Sequence, residues 1–166
     1  YRDELDADAI SWLYLSAPLH DVGKVAIADT VLHKPGPLTD EEYEELKEQT
    51  TLGRAVLASA DKHLGENSFL RIASDIAYCH HERCDGKGYP RGVAGKDIPL
   101  SARLMSVADV YDALRSKRVY KPAMPHETAV RIIVDGKSTQ FDPDVVEAFV
   151  ALQEQFRSIA EKYSDA

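Results

Sequence analysis

Two adjacent histidines, His80 and His81, close an apolar helical pattern and open into a glycine-rich loop. Neighbouring side chains leave a helix about 100° apart, so packing rarely needs both imidazoles. A metal cluster uses both, because neutral imidazole is a common ligand for zinc, iron and nickel. An isolated His-His pair reads more simply as a partly exposed helix end. Here His20-Asp21 and Asp109 also lie on or beside helical patterns, so five candidate ligands come from three segments. An Asp between two metals can bridge them, and a Lys one turn away, such as Lys24, can neutralise a phosphate oxygen. The plainer reading of Lys24 is a solvated lysine. Asp109 stands among Val107, Ala108 and Val110. A carboxylate buried in such company is costly unless it is paired or metal-bound.

Helical spacing accounts for the segments that carry these residues. Leu5 to Leu19 reads as a helix on Ala7, Ile10, Leu13, Tyr14 and Ala17, and Pro18 ends or bends it before His20. Val25 to Leu38 reads as a connector, since Pro35-Gly36-Pro37 cannot continue a helix. Thr39-Asp40-Glu41-Glu42 is a capping box. It opens a helix with Tyr43, Leu46, Thr50, Gly53, Val56, Leu57 and Ala60 on one face and Gln49 beside it. Asp61 to Asn67 reads as a loop. Phe69 to Ala77 forms the next helix, and His80 continues its Ile72–Ile76 line inward. A loop of roughly eighteen residues then runs to Pro99, and loops of that length are often functional. Leu100 to Leu114 and Pro125 to Asp135 follow as helices, the second closed by Gly136 at C′. Asp142 caps the last helix with Pro143 at its first position. Its stripe of Val145, Phe149, Leu152, Phe156, Ile159 and Tyr163 is core or a helix–helix seam. No period-two run is long enough for a sheet, so the chain reads as all-α.

A length of 166 residues suits a single domain with a real core. The balance of 20 basic and 28 acidic residues, net −8, argues against a long nucleic-acid partner. Arg83 to Lys121 is locally basic, which suits a small anionic ligand if it is more than chance clustering. Cys79 and Cys84 make no disulfide framework, and reduced thiols suit a cytoplasmic domain. One Cys-x4-Cys pair without a second is also a poor thiolate metal pattern. No apolar run approaches a membrane span and no signal peptide is evident. The chain opens at Tyr1 without Met, as expected of a piece of a longer polypeptide.

Several motifs together carry a resemblance. They are His20-Asp21-Val22-Gly23-Lys24, His80-His81-Glu82-Arg83, Asp85-Gly86-Lys87-Gly88-Tyr89-Pro90, Ile98-Pro99, Ala108 to Leu114, Arg118-Val119-Tyr120 and Phe141-Asp142-Pro143. From about Leu19 to Phe149 the chain resembles an HD-GYP domain, a branch of the HD phosphohydrolases. The resemblance implies a compact all-helical bundle with a glycine-rich loop beside a metal site. It implies a bacterial cytoplasmic signalling enzyme that hydrolyses cyclic di-GMP to pGpG or GMP with two or three divalent metal ions, iron or manganese. Carried over by position, His20, Asp21, His80, His81 and Asp109 are metal ligands, with Asp21 as bridge and catalytic together with Lys24. Lys24, Arg118, Lys121 and Tyr89 bind substrate, and Gly88, Tyr89 and Pro90 form the signature loop. Residues 1–166 would be one C-terminal output domain lacking its first helices, downstream of a receiver or sensor. A signalling-protein partner would meet the Gly-Tyr-Pro loop.

Two departures bear on this reading. The family places a ligand His where this chain has Gln49, and an amide oxygen is a poorer ligand than imidazole, so Gln49 is at most a weak one. The family also has a ligand on a helix upstream of the His-Asp pair, before this chain begins. The alternative is therefore a degenerate domain that serves as a cyclic di-GMP receptor or interaction module. A third reading, an HD phosphohydrolase acting on another nucleotide, fits the Gly-Tyr-Pro loop less well.

Overall fold

Asp6 accepts a 2.7 Å hydrogen bond from the Ala9 amide and so caps α1, Ala7–Ser16. Pro18 then bends the chain into a 3₁₀ turn, Ala17–Leu19, instead of continuing the helix. The computed structural model describes residues 5–64, 68–116 and 122–163, and the regular structure among them is helical. An isolated bridge pairs Lys137 with Phe141 between the last two helices. The apolar spacing read along α1 does not mark its buried face. Ile10 and Tyr14 are exposed, while Ser16 is fully buried and its hydroxyl donates to the Phe69 carbonyl at 2.9 Å, tying α1 to the helix Ser68–Cys79.

The connector to the next long helix holds a second 3₁₀ turn, Val22–Ala26, and a short α2, Asp29–Leu32. The capping box forms as the spacing requires. Thr39 Oγ1 accepts from the Glu42 amide at 3.3 Å, and Glu42 Oε2 accepts from the Thr39 amide at 2.7 Å. Helix α3 runs Asp40–Leu64, so the loop expected from Asp61 begins later. Its buried residues are Gln49, Thr50, Gly53 and Leu57, whereas Tyr43 and Val56 are exposed. The inward stripe is thus rotated toward Gln49 from the face that hydrophobicity alone suggests.

Helix α3 lies against α4, Ser68–Cys79, through Leu57, Leu70, Ala73 and Ala77. It also meets the His-Asp turn backbone to backbone. A Cβ on Gly23 would lie 1.8 Å from the Gln49 carbonyl oxygen and 2.7 Å from the Gly53 nitrogen. No side chain fits there, which is why the contact needs glycine.

The second half packs α5, Leu100–Arg115, α6, His126–Asp135, and α7, Pro143–Lys162. Val107, Tyr111, Ala129, Ile133, Phe141, Val145, Val146 and Phe149 form its core. The outer part of the α7 stripe, Leu152, Ile159 and Tyr163, is exposed, so that half is neither core nor a seam here. Gly136 follows α6 at φ −80°, not in the left-handed region expected of a C′ glycine. It is required for another reason, since a Cβ there would come within 2.8 Å of the Phe141 ring.

Arg103 and Asp142 form a buried ion pair between α5 and the start of α7. Arg103 Nε also donates to the Ile98 carbonyl at 2.9 Å, and Asp142 Oδ1 caps α7 by accepting from the Asp144 amide at 2.7 Å. Removing one partner of a buried pair leaves an uncompensated charge. Asp142→Ala is therefore expected to lower unfolding free energy by about 3–5 kcal/mol, measured by urea denaturation.

Candidate metal centre

His20 sits where the first 3₁₀ turn ends. Its Nδ1 lies 2.8 Å from the Ala17 carbonyl oxygen, which turns Nε2 toward Asp21 at 3.3 Å and Asp109 at 3.7 Å. His80 repeats the device at the end of α4. Its Nδ1 lies 2.9 Å from the Ile76 carbonyl oxygen, and its buried Nε2 has no hydrogen-bond partner among the described residues. A backbone carbonyl that accepts a hydrogen bond from Nδ1–H keeps the proton there and leaves the Nε2 lone pair free, the state in which imidazole binds metal. His80 Nε2 is 3.9 Å from Asp21 Oδ1. Ligand atoms of Asp21, His80 and His81 all lie within 4.8 Å of one another. Orphaned buried nitrogen beside carboxylate oxygen is a donor set that fits a divalent cation.

Asp109 reaches the group through His20, but its side chain is 29% exposed. It faces a cavity and is not buried among its apolar neighbours in sequence as expected. Lys24 donates to Asp21 Oδ2 at 2.6 Å, so it is engaged with a candidate ligand and is not an ordinary solvated lysine. Arg118 and Lys121 lie outside the described residues. Other members of the basic segment are spent internally: Arg83 grips Asp85 at 3.0 and 2.8 Å, and Arg115 donates to the Met124 carbonyl at 2.6 Å. Cys79 packs with Ile98 and Ala102, and burial pushes its thiol up to about 11, against thiolate ligation.

Gln49 is buried on α3 with its Nε2 3.4 Å from His81 Nε2, while its Oε1 has no hydrogen-bond partner among the described residues. The Gly23–Gly53 contact sets this proximity, because it brings that turn of α3 onto the His-Asp turn. The signature loop closes the other side. A Cβ on Gly88 would come within 2.5 Å of the Glu82 Cα, the Arg83 nitrogen and the His81 oxygen, so glycine lets the loop cross the His-His backbone. Tyr89 then stacks on His81, centroids 4.8 Å apart, ahead of a cis peptide to Pro90. Cys84 and Asp85 amides donate to the Gln140 and Thr139 carbonyls at 3.2 and 2.8 Å, anchoring the loop to the α6–α7 connection.

A cavity of about 310 Å³ opens here, lined by His80, His81, Tyr89, Asp109, Ser106 and Tyr43 among others. Sequence reasoning missed Ser106, although it precedes Asp109 by one helical turn and periodicity points to it. It also missed the clamp made by Glu82. That buried carboxylate accepts the Arg91 amide at 2.7 Å, and only the folded loop brings the two together.

Burial, helped by its neighbour His80, pushes the pKa of His81 down to about 3, and burial likewise lowers that of His80. Burial would also lower that of His20, but its hydrogen bonds to Asp21 and the Ala17 carbonyl and the charges of Asp21 and Asp109 together outweigh this and raise it. Burial works against the Asp21 carboxylate, yet hydrogen bonds from His20 and Lys24 hold it well below the usual carboxylate range. The metal-free protein should therefore be acid-sensitive. Between pH 6.5 and about 3 unfolded His81 takes up a proton that the folded form refuses, so stability falls as pH falls. His20 opposes this, adding stability below pH 6.5 that fades as pH rises through its raised value. Urea midpoints across this range should fall less steeply toward acid in His81→Asn than in the parent chain.

The HD domain family matches residues 2–145. A protein of Vibrio cholerae named cyclic di-GMP phosphodiesterase is 59% identical over 166 residues, which cover 100% of this chain and 34% of that protein. A protein of Thermotoga maritima with the same name is 40% identical over 156 residues, 94% of this chain and 41% of its own length. A 3'3'-cGAMP-specific phosphodiesterase 2 of Vibrio cholerae is 38% identical over 162 residues, 98% of this chain and 30% of that protein. The chain thus spans about a third of the length of the curated relatives it matches. By this match over most of its length, the chain belongs to the HD-domain family, and in Gly88-Tyr89-Pro90 it carries the signature of the HD-GYP branch.

Proposed function

We propose that this domain is a metal-dependent phosphodiesterase that hydrolyses cyclic di-GMP to pGpG and on to GMP. The observation that carries the reading is the convergence of Asp21, His80 and His81 within 4.8 Å, with a buried and unpartnered His80 Nε2. The names of the relatives support the substrate. His20, Asp21, His80, His81 and Asp109 would hold two divalent ions, with Asp21 as the bridge. Imidazole and carboxylate donors suit iron or manganese, and no thiolate is at hand. Bound metals supply an activated water and stabilise the charge that develops on phosphorus. The chain's own residues do the rest. The carbonyls of Ala17 and Ile76 orient His20 and His80. Lys24 keeps Asp21 ionised, and together with Arg118 and Lys121 supplies charge for the phosphates. Tyr89 covers His81 and screens that side from water.

We read residues 1–166 as one output domain of a bacterial cytoplasmic signalling protein, regulated by a receiver or sensor domain elsewhere in the polypeptide. Among the described residues no helix is long and apolar enough to cross a membrane. The receptor alternative rests on Gln49, which lies beside His81 where the family places an imidazole. Rotating the amide by half a turn would exchange its nitrogen and oxygen and present an oxygen ligand, weaker than imidazole.

Metal analysis alongside cyclic di-GMP turnover tests the reading. Asp21→Ala is expected to lose bound metal and to lower turnover more than about 100-fold, the upper range for even an indirect metal partner. Unchanged metal content in that variant refutes the bridge. Gln49→His is expected to raise metal content and hydrolysis together. A parent domain that binds cyclic di-GMP but hydrolyses none, with or without that substitution, is a receptor.

A further inference from the structure

Tyr43 is a large aromatic side chain that the core does not use. The buried stripe of α3 passes through Gln49, Thr50, Gly53 and Leu57, and leaves Tyr43 44% exposed on the cavity wall. Its ring meets Tyr89 edge-on at 6.3 Å, and Tyr89 in turn stacks on His81. Lys47, one turn further along α3, holds its Nζ 4.8 Å from the Tyr43 centroid and 5.7 Å from that of Tyr89. Glu44 Oε1, 2.5 Å from the ammonium, fixes it there. A half-exposed aromatic ring with a cation over one face therefore stands two ring spacings from His81.

We propose that Tyr43 and Lys47, with Tyr89, form the subsite for one guanine base of the cyclic dinucleotide. The inference deepens the phosphodiesterase reading above and rests on it for the identity of the ligand. A base stacks on the face of the Tyr43 ring that Lys47 leaves uncovered, as bases do on exposed aromatics. Lys47 has donors only. Guanine offers two acceptors on one edge, N7 and O6, whereas adenine offers N7 beside an amino donor, so the ammonium selects guanine. A cavity of about 310 Å³ is at the small end of ligand pockets, which run from about 300 to 1,000 Å³. It suits one enclosed nucleotide, with the other on the open side. The subsite thus reads one base of the ring, a property that matters in a family whose members include a protein named as 3'3'-cGAMP-specific.

The test compares the metal-loaded parent chain with Tyr43→Ala, Tyr43→Phe and Lys47→Met on three substrates. These are cyclic di-GMP, cyclic di-AMP and methyl p-nitrophenyl phosphate, a diester without a nucleobase. In Tyr43→Ala the KM for cyclic di-GMP should rise about tenfold with a smaller change in kcat. The ratio of kcat/KM for cyclic di-GMP to that for the simple diester should fall accordingly, and Tyr43→Phe should restore it. Lys47→Met should lower preference for cyclic di-GMP over cyclic di-AMP. A folded Tyr43→Ala whose ratio matches the parent overturns the subsite while leaving the phosphodiesterase reading intact. A parent chain that hydrolyses none of the three refutes the phosphodiesterase reading. The subsite is then judged by equilibrium dialysis with cyclic di-GMP, where weaker binding by Tyr43→Ala supports it and equal binding overturns it.

Discussion

The contact between Gly23 and the Gln49–Gly53 turn of α3 governs the site. Two backbones meet there with no room for a methyl group, since a Cβ on Gly23 would fall on the Gln49 carbonyl. That closeness seats the His-Asp turn in the angle between α3 and α4, with Gly53 also against Ala77. A helix held off by one side chain would lose both the Gln49–His81 approach and the burial that keeps His81 neutral. The chemistry of the centre thus depends on a contact that involves no chemically active group.

Electrostatics follow from that packing. Two adjacent imidazoles and a third nearby would repel one another if charged, and burial keeps His80 and His81 neutral. Asp21 stays ionised because Lys24 and His20 surround it. Neutral imidazoles beside a charged carboxylate are a ligand set that needs no proton removal before it accepts a divalent ion. Backbone carbonyls one helical turn back orient two of the three rings, so much of the site's rigidity comes from helix ends.

The two halves of the fold serve the centre differently. Helices α1, α3 and α4 position the His-Asp turn and the His-His pair. Helices α5, α6 and α7 bring Asp109 and hold the signature loop through the Gln140 and Thr139 carbonyls. Arg103–Asp142 joins the entry of α5 to the start of α7, next to those anchors. The loop is long but not loose. Glycine at 88 lets it lie on the His81–Arg83 backbone, and Glu82 clamps it at Arg91.

Local signals were legible in the sequence wherever nearby residues decide them. The capping box at Thr39–Glu42, the Asp142 cap with Pro143, the break at Pro18 and the inward line from Ile76 to His80 follow from side-chain chemistry within one or two turns. So does the all-helical class, and the spacing of motifs was enough to suggest the family. Only tertiary structure decided which apolar residues were covered. Ile10, Tyr14, Ile159 and Tyr163 stand exposed because a helical stripe specifies a face, not the neighbour that buries it. Tertiary structure also decided that Gly136 yields to an aromatic ring and not to a left-handed turn, and that Asp109 faces a cavity. The resemblance put Gln49 at a ligand position, and tertiary structure decided how near it comes to His81. The distance between residues 32 positions apart is set by how closely α3 can approach the His-Asp turn, and that depends on packing across the fold.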